Sequence, residues 1–111
     1  MSDCLFCRIV AGEVAADIVY QDELIVAFRD IHPKAAVHLL VVPRKHLDNL
    51  YDLGDDDRQL MSHLMMYIPK IAKQQGLLSG FRTITNTGVG GRQEIYHMHF
   101  HLMGGAKLPP M

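Results

Sequence analysis

Near its C-terminal end the chain reads Tyr96-His97-Met98-His99-Phe100-His101-Leu102-Met103. Alternation with a period of two is a strand signal, because successive side chains on a strand point to opposite faces. His97, His99 and His101 are therefore expected to share one face, each about 7 Å from the next. Met98, Phe100 and Leu102 take the other face and suit a buried core. A strand with one apolar and one polar face has to sit in a sheet covered on its apolar side.

The rest of the chain supplies that sheet and its cover. Residues 17–21 and 24–29 read as a hairpin turning at Asp22-Glu23, and 37–43 as a β-branched strand after a loop through His32-Pro33. Residues 81–86 are a further alternating strand, and 95–103 the last one. A short helix is expected over 4–11, capped by Asp3 or Ser2 and ended by Gly12. Residues 55–75 form the one long helix. Asp55, Asp56 and Asp57 suit its positive N-terminal end, and Leu60, Met61, Leu64, Met65, Ile68, Ile71 and Ala72 recur at helical spacing. Gly76 suits its C-terminal cap. Pro69 predicts a kink or a break near 66–69. About five strands and two helices make an α+β fold with a mainly antiparallel sheet, in a single domain over residues 1–111.

Composition narrows the function classes. With 11 Lys and Arg against 12 Asp and Glu, the formal charge is −1, which disfavours a nucleic-acid partner. No apolar run reaches the roughly 18 residues of a membrane span. No basic region followed by an apolar stretch opens the chain, so a cytoplasmic protein is expected.

Cys4 and Cys7 form a C-x-x-C. A reducing cytosol disfavours a disulfide there, and no strand precedes the motif as it would in a redox pair, so half of a zinc site is the better reading. A helix turn with one buried thiol is the plainer alternative. The row of imidazoles fits metal ligation, nucleophilic and acid–base chemistry, or a half-exposed polar face. Thr87-Gly88-Val89-Gly90-Gly91 can expose consecutive N–H groups to an anion, with Asn86, Arg92 and Gln93 as further donors. A plain hairpin loop is its ordinary alternative. Beside the histidines, the loop suggests a phosphate held over an imidazole nucleophile. His32 is expected to be solvated, and His63 to face water or a partner. Met61, Met65 and Met66 are core or interface candidates.

His97-Met98-His99-Phe100-His101-Leu102-Met103 matches the histidine-triad (HIT) pattern, His-φ-His-φ-His-φ-φ with φ apolar, at every position. Gln93-Glu94-Ile95-Tyr96, Phe28 to Ala35 and His38 to Pro43 resemble further blocks of that family. The first of these is similar to its bacterial nucleoside-phosphoramidate hydrolase branch. The resemblance runs from Cys4 to about Gly105.

The resemblance implies a HIT-like protomer that pairs through its long helix and sheet, the sheet continuing across a homodimer. It implies release of an AMP-like nucleoside monophosphate from a purine nucleoside phosphoramidate through a nucleotidyl-histidine. His99 would be the nucleophile, His101 the group beside the phosphoryl and leaving group, and His38 the histidine that orients the row. Asn86 and Gln93 would hold phosphate oxygens, Asp30 the ribose hydroxyls, and Ile31 and Leu40 the base. No catalytic cofactor is implied. A structural zinc would be held by Cys4, Cys7, His46 and His97. The plainer alternatives are a strand end for Asn86, a turn cap for Asp30, and core positions for Ile31 and Leu40.

Three further readings stay open on sequence: a dinucleoside-polyphosphate hydrolase of the same family, a metal hydrolase with zinc on His97, His99 and His101, and a nucleotide-binding module with incidental catalysis. His101 favours hydrolysis, because the branch that transfers nucleotides between sugar phosphates has glutamine there.

Overall fold

The computed structural model describes residues 3–105 and 107–111. In chain order its elements are α1 (Leu5–Val10), β1 (Ile18–Gln21), β2 (Ile25–Arg29), β3 (Val37–Pro43), α2 (Arg58–Gln74), β4 (Arg82–Ile84) and β5 (Phe100–Gly104). The five strands form one antiparallel sheet in the order β1-β2-β3-β5-β4. This is the α+β architecture expected, with one short and one long helix.

Local chemistry sets the elements. The β1–β2 hairpin closes because the Asp22 carboxylate accepts the Leu24 and Ile25 N–H groups at 2.8 and 2.9 Å, the usual service of an aspartate in a turn. The N-cap of α1 is Cys4, not Asp3; its sulfur accepts the Cys7 N–H at 3.3 Å. Ser2, the other expected cap, lies outside the described residues. Gly12 follows α1 at φ +79° and Gly76 follows α2 at φ +81°, a region open to glycine at little cost.

The long helix begins later than expected. Asp55–Asp57 form a 3₁₀ turn that leads into α2 at Arg58. The expected break at Pro69 does not occur, and α2 runs from Arg58 to Gln74. Proline removes one helical N–H and leaves the carbonyl four residues earlier without its donor. Pro69 and Met65 both lie on the exposed face, where that carbonyl can reach water.

The two faces of the sheet carry separate cores. On one face Leu60, Leu64, Ile68 and Ile71 of α2 pack against Ile25, Ala27, Leu39, Val41, Phe100 and Leu102. On the other, Phe6 and Ile9 of α1 pack against Val26, Phe28, Leu40 and Val42. A helix of six residues is only about 9 Å long, so α1 can cover only part of its face.

The last strand is shorter than the alternation predicts. It starts at Phe100, not at 95, and ladder pairing ends at Val41–Phe100. Instead the Met98 N–H goes to the Leu47 carbonyl at 2.6 Å, and the His97 ring donates to the Pro43 carbonyl at 2.8 Å. Pro43 has no N–H to continue the ladder. The alternation of faces survives: Met98, Phe100 and Leu102 are buried in the α2-side core. The 81–86 strand likewise contracts to Arg82–Ile84, and Thr85 turns its hydroxyl to the His99 carbonyl at 2.8 Å.

Candidate active site and metal cluster

The histidines gather on the α1 face. His101 lies opposite Leu40 in the β3–β5 register, and His38 opposite Met103. Phe6 stands edge-on to His97 and His99, with ring centroids 6.0 and 5.2 Å away, and His99 and His101 are 5.1 Å apart. His38, His97 and His99 are buried; His101 is partly open.

Fixed partners decide which nitrogen of each ring carries the proton. The Lys34 N–H donates to His38 Nδ1 at 3.0 Å. The His38 proton therefore sits on Nε2, 2.9 Å from His101 Nδ1. His101 accepts there and keeps its own proton on Nε2. The His99 Nδ1–H donates to the His97 carbonyl at 2.7 Å, which leaves a lone pair on Nε2. Burial, then the neighbouring His99 and His38, hold His101 down at about 4, and burial lowers His38 as well. Both rings are neutral near pH 7.

Asp30, Asn86 and Gln93 occupy different settings. One Asp30 oxygen accepts the His32 N–H at 2.9 Å, and the other lies 3.5 Å from His38 Nε2. Asn86 donates one amide hydrogen to the Gly91 carbonyl at 2.8 Å. Gln93 is buried between the glycine loop and residues 48–49. Ile31 is 84% exposed, whereas Leu40 lies in the α1-side core at 6%. His32 is exposed, as expected. His63 is partly exposed, and its Nε2 donates to the Asp22 carboxylate at 2.6 Å.

A second constellation sits beside the first. Ligand atoms of Cys4, Cys7, His46 and His97 lie within 4.8 Å of one another. His97 Nδ1 is 3.3 Å from Cys4 Sγ and 3.4 Å from Cys7 Sγ, and His46 Nδ1 is 3.2 Å from Cys7 Sγ. A tetrahedral zinc holds sulfur and nitrogen ligands about 3.5 Å apart. The ring protons fit as well. His97 Nε2 donates to Pro43 and His46 Nε2 donates to Asp48 Oδ1 at 2.8 Å, so both Nδ1 atoms present lone pairs, the outer bonding that orients metal-ligating histidines. These four residues can hold a metal ion.

The three triad histidines do not converge as one ligand set, because the His97 nitrogens face the thiols and Pro43. Asp30, His38 and His101 do converge. The Lys34 N–H keeps the His38 proton on Nε2, which donates to His101 Nδ1, and the Asp30 carboxylate stands alongside at 3.5 Å.

The structure adds residues that sequence reasoning missed. Phe6, Lys34, Asp48, Asn49 and Thr85 act through contacts distant in sequence or through main-chain atoms, and neither leaves a mark on local pattern. The acceptor at Asp48, two residues after His46, is the one signal that was readable.

Comparison with known proteins identifies the family. Residues 3–109 match the family described as scavenger mRNA decapping enzyme C-term binding. The chain is 41% identical over 110 residues to a purine nucleoside phosphoramidase of Escherichia coli K12, covering 98% of this chain and 92% of that one. A HIT family hydrolase from Legionella pneumophila Philadelphia 1 superposes with a TM-score of 0.92 at 44% identity, covering 96% of each chain. A histidine triad protein from Clostridium difficile gives 0.94 at 45% identity, covering 100% of this chain and 97% of that one. The alternating histidines thus belong to a fold and a sequence shared along almost the whole length, and the chain is a member of the histidine-triad (HIT) family.

Proposed function

We propose that this protein hydrolyses purine nucleoside phosphoramidates through a nucleotidyl-histidine on His99. The observation that carries the reading is the bond from His99 Nδ1–H to the His97 carbonyl, which leaves His99 Nε2 as a nucleophile. The kinship with a purine nucleoside phosphoramidase supports the substrate class.

The lone pair of His99 Nε2 attacks phosphorus, a nitrogen–phosphorus bond forms, and the substrate's own phosphorus–nitrogen bond breaks. His101 presents its Nε2–H to the charge that develops on the phosphoryl and leaving groups, and His38 holds His101 in that tautomer. The amine departs with the proton that His101 Nε2 gives it. Water then attacks the nucleotidyl-histidine, returns a proton to the row, and releases the nucleoside monophosphate. Asp30 would accept the ribose hydroxyls, and Ile31 and Leu40 would border the base. Asn86 has its second amide hydrogen to offer a phosphate oxygen, and Gln93 would serve phosphate through the loop it holds.

Zinc on Cys4, Cys7, His46 and His97 would be structural, since four protein ligands close a tetrahedral site. It would tie the start of α1 to residues beside the nucleophile. A homodimer would extend the sheet from β4, an edge strand, and cover Met65, Met66 and Phe81, which are 44%, 63% and 40% exposed.

The test is release of AMP from an adenosine 5′-phosphoramidate with an amine leaving group, run with His99→Ala and a chelated sample. Turnover that vanishes in the variant and survives chelation is expected. Tight AMP binding without turnover would replace the hydrolase reading with a nucleotide-binding module.

A further inference from the structure

Gln93 is buried, at 7% exposure, and a carboxamide has two hydrogens to donate and two lone pairs to offer. Its Nε2 donates to the Asp48 carbonyl at 2.6 Å and to the Ile95 carbonyl at 3.0 Å. Its Oε1 accepts from the Gly88 N–H at 2.9 Å and from Asn49 Nδ2 at 3.1 Å. Every polar position is spent inside the protein. A phosphate oxygen could be met only by breaking one of these bonds and stranding a buried partner.

The two groups of partners belong to different parts of the site. On one side is the glycine loop, turned by the Gly91, Arg92 and Gln93 N–H groups onto the carbonyls of Gly88, Val89 and Gly88. Arg92 sits there at φ +62°, the one described residue other than glycine with positive φ, and such a conformation persists only where its surroundings hold it. On the other side is the segment that presents His46. Within it Asp48 Oδ1 accepts from the His46 ring and the Leu47 carbonyl holds the Met98 N–H. One buried side chain therefore bridges the loop to the segment that steadies both the metal cluster and the backbone before His99.

We propose that Gln93 is a positioning residue: it acts on phosphate by setting the Gly88–Arg92 loop against residues 46–49, not by direct contact. This rests on the nucleotidyl-transfer reading of the site.

Two variants separate the possibilities. Gln93→Met keeps the length of the side chain and removes its polar atoms. Asn49→Asp keeps the Oδ1 that accepts the Tyr51 N–H and replaces the donor to Gln93 Oε1 by a carboxylate oxygen that repels it. For each, kcat and KM for the phosphoramidate, the affinity for AMP, and hydrogen exchange at the Gly88 amide are measured. Positioning predicts that both variants raise KM and the AMP Kd about tenfold or more, that Gly88 exchange accelerates in both, and that the double variant is no worse than the stronger single one. A rise in KM confined to Gln93→Met, with Gly88 exchange at the wild-type rate in both, would overturn the proposal and make Gln93 a direct phosphate ligand. Should Gln93→Met fail to fold, Asn49→Asp decides alone. Absence of turnover in the wild-type protein would defeat the hydrolase reading, while AMP affinity and Gly88 exchange would still judge Gln93.

Discussion

His38 Nε2 lies 2.9 Å from His101 Nδ1, and the Lys34 N–H on the far side of the His38 ring determines which of the two nitrogens owns the proton. A main-chain amide thereby selects the tautomer of a ring on another strand. His38→Ala is expected to lower kcat by about tenfold to a hundredfold, the usual effect of losing an orienting partner, with a smaller change in KM. Nitrogen NMR of His101 is the direct check. The wild-type ring carries its proton on Nε2, and the variant populates both tautomers. A variant spectrum still confined to the Nε2–H form would show that His38 does not set it.

Acid should unfold this protein earlier than its carboxylates alone require. Burial depresses His38 and, with the neighbouring His99 and His38 rings, brings His101 to about 4. The folded state thus binds fewer protons than the unfolded one between pH 6.5 and 4. Stability rises with pH across that window and is lost as pH falls through it. Thermal melts from pH 7.5 to 4.5 should show the midpoint dropping by several degrees, and His38→Ala with His101→Ala should flatten the slope.

Metal should add to stability more than to turnover. A ligand present at a thousand times its Kd stabilises the folded state by about 4 kcal/mol. Chelation, or Cys4→Ser, is expected to lower the melting temperature by about 10 °C or more, with phosphoramidate hydrolysis persisting below the lowered midpoint. Loss of turnover at a temperature where the chelated protein remains folded would give the metal a catalytic role.

Asp22 joins the β1–β2 hairpin to α2. Its carboxylate accepts from Tyr20 Oη–H and His63 Nε2 at 2.6 Å each, besides the two turn amides. Those bonds hold it well below the usual carboxylate range, although its burial opposes this. Asp22→Ala should cost about 2–4 kcal/mol in denaturant unfolding and leave kcat unchanged, since the carboxylate's partners, Tyr20, His63 and the Leu24 and Ile25 amides, are not part of the histidine row.

Much of the fold was legible because it repeats. The apolar spacing of Leu60, Leu64, Ile68 and Ile71 matches the buried face of α2, and the alternation around His99 assigns Met98, Phe100 and Leu102 to the core. Cys4, Cys7, His46 and His97 were legible as ligand types and do come together. Element ends were less so. The ladder stops at Phe100 because Pro43 and Leu47 draw residues 97–98 away, and α2 passes through Pro69 where both Met65 and Pro69 lie on its exposed face. Neither fact has a local signal.

The sequence by itself determined periodicity and chemical type: which residues face a core, which segments are strand or helix, and which side chains carry imidazole, thiol or carboxylate. These follow from intervals of two to four residues and from side-chain identity. Tertiary structure alone decided the proton positions on His97 and His101, because each depends on a partner that folding brings from far along the chain, the Pro43 carbonyl at His97 and His38 at His101. It also decided that Gln93 is spent inside the protein. A hydrogen bond requires its partner within about 3 Å and in line, and for a pair 44 or 54 residues apart along the chain only the completed fold provides that.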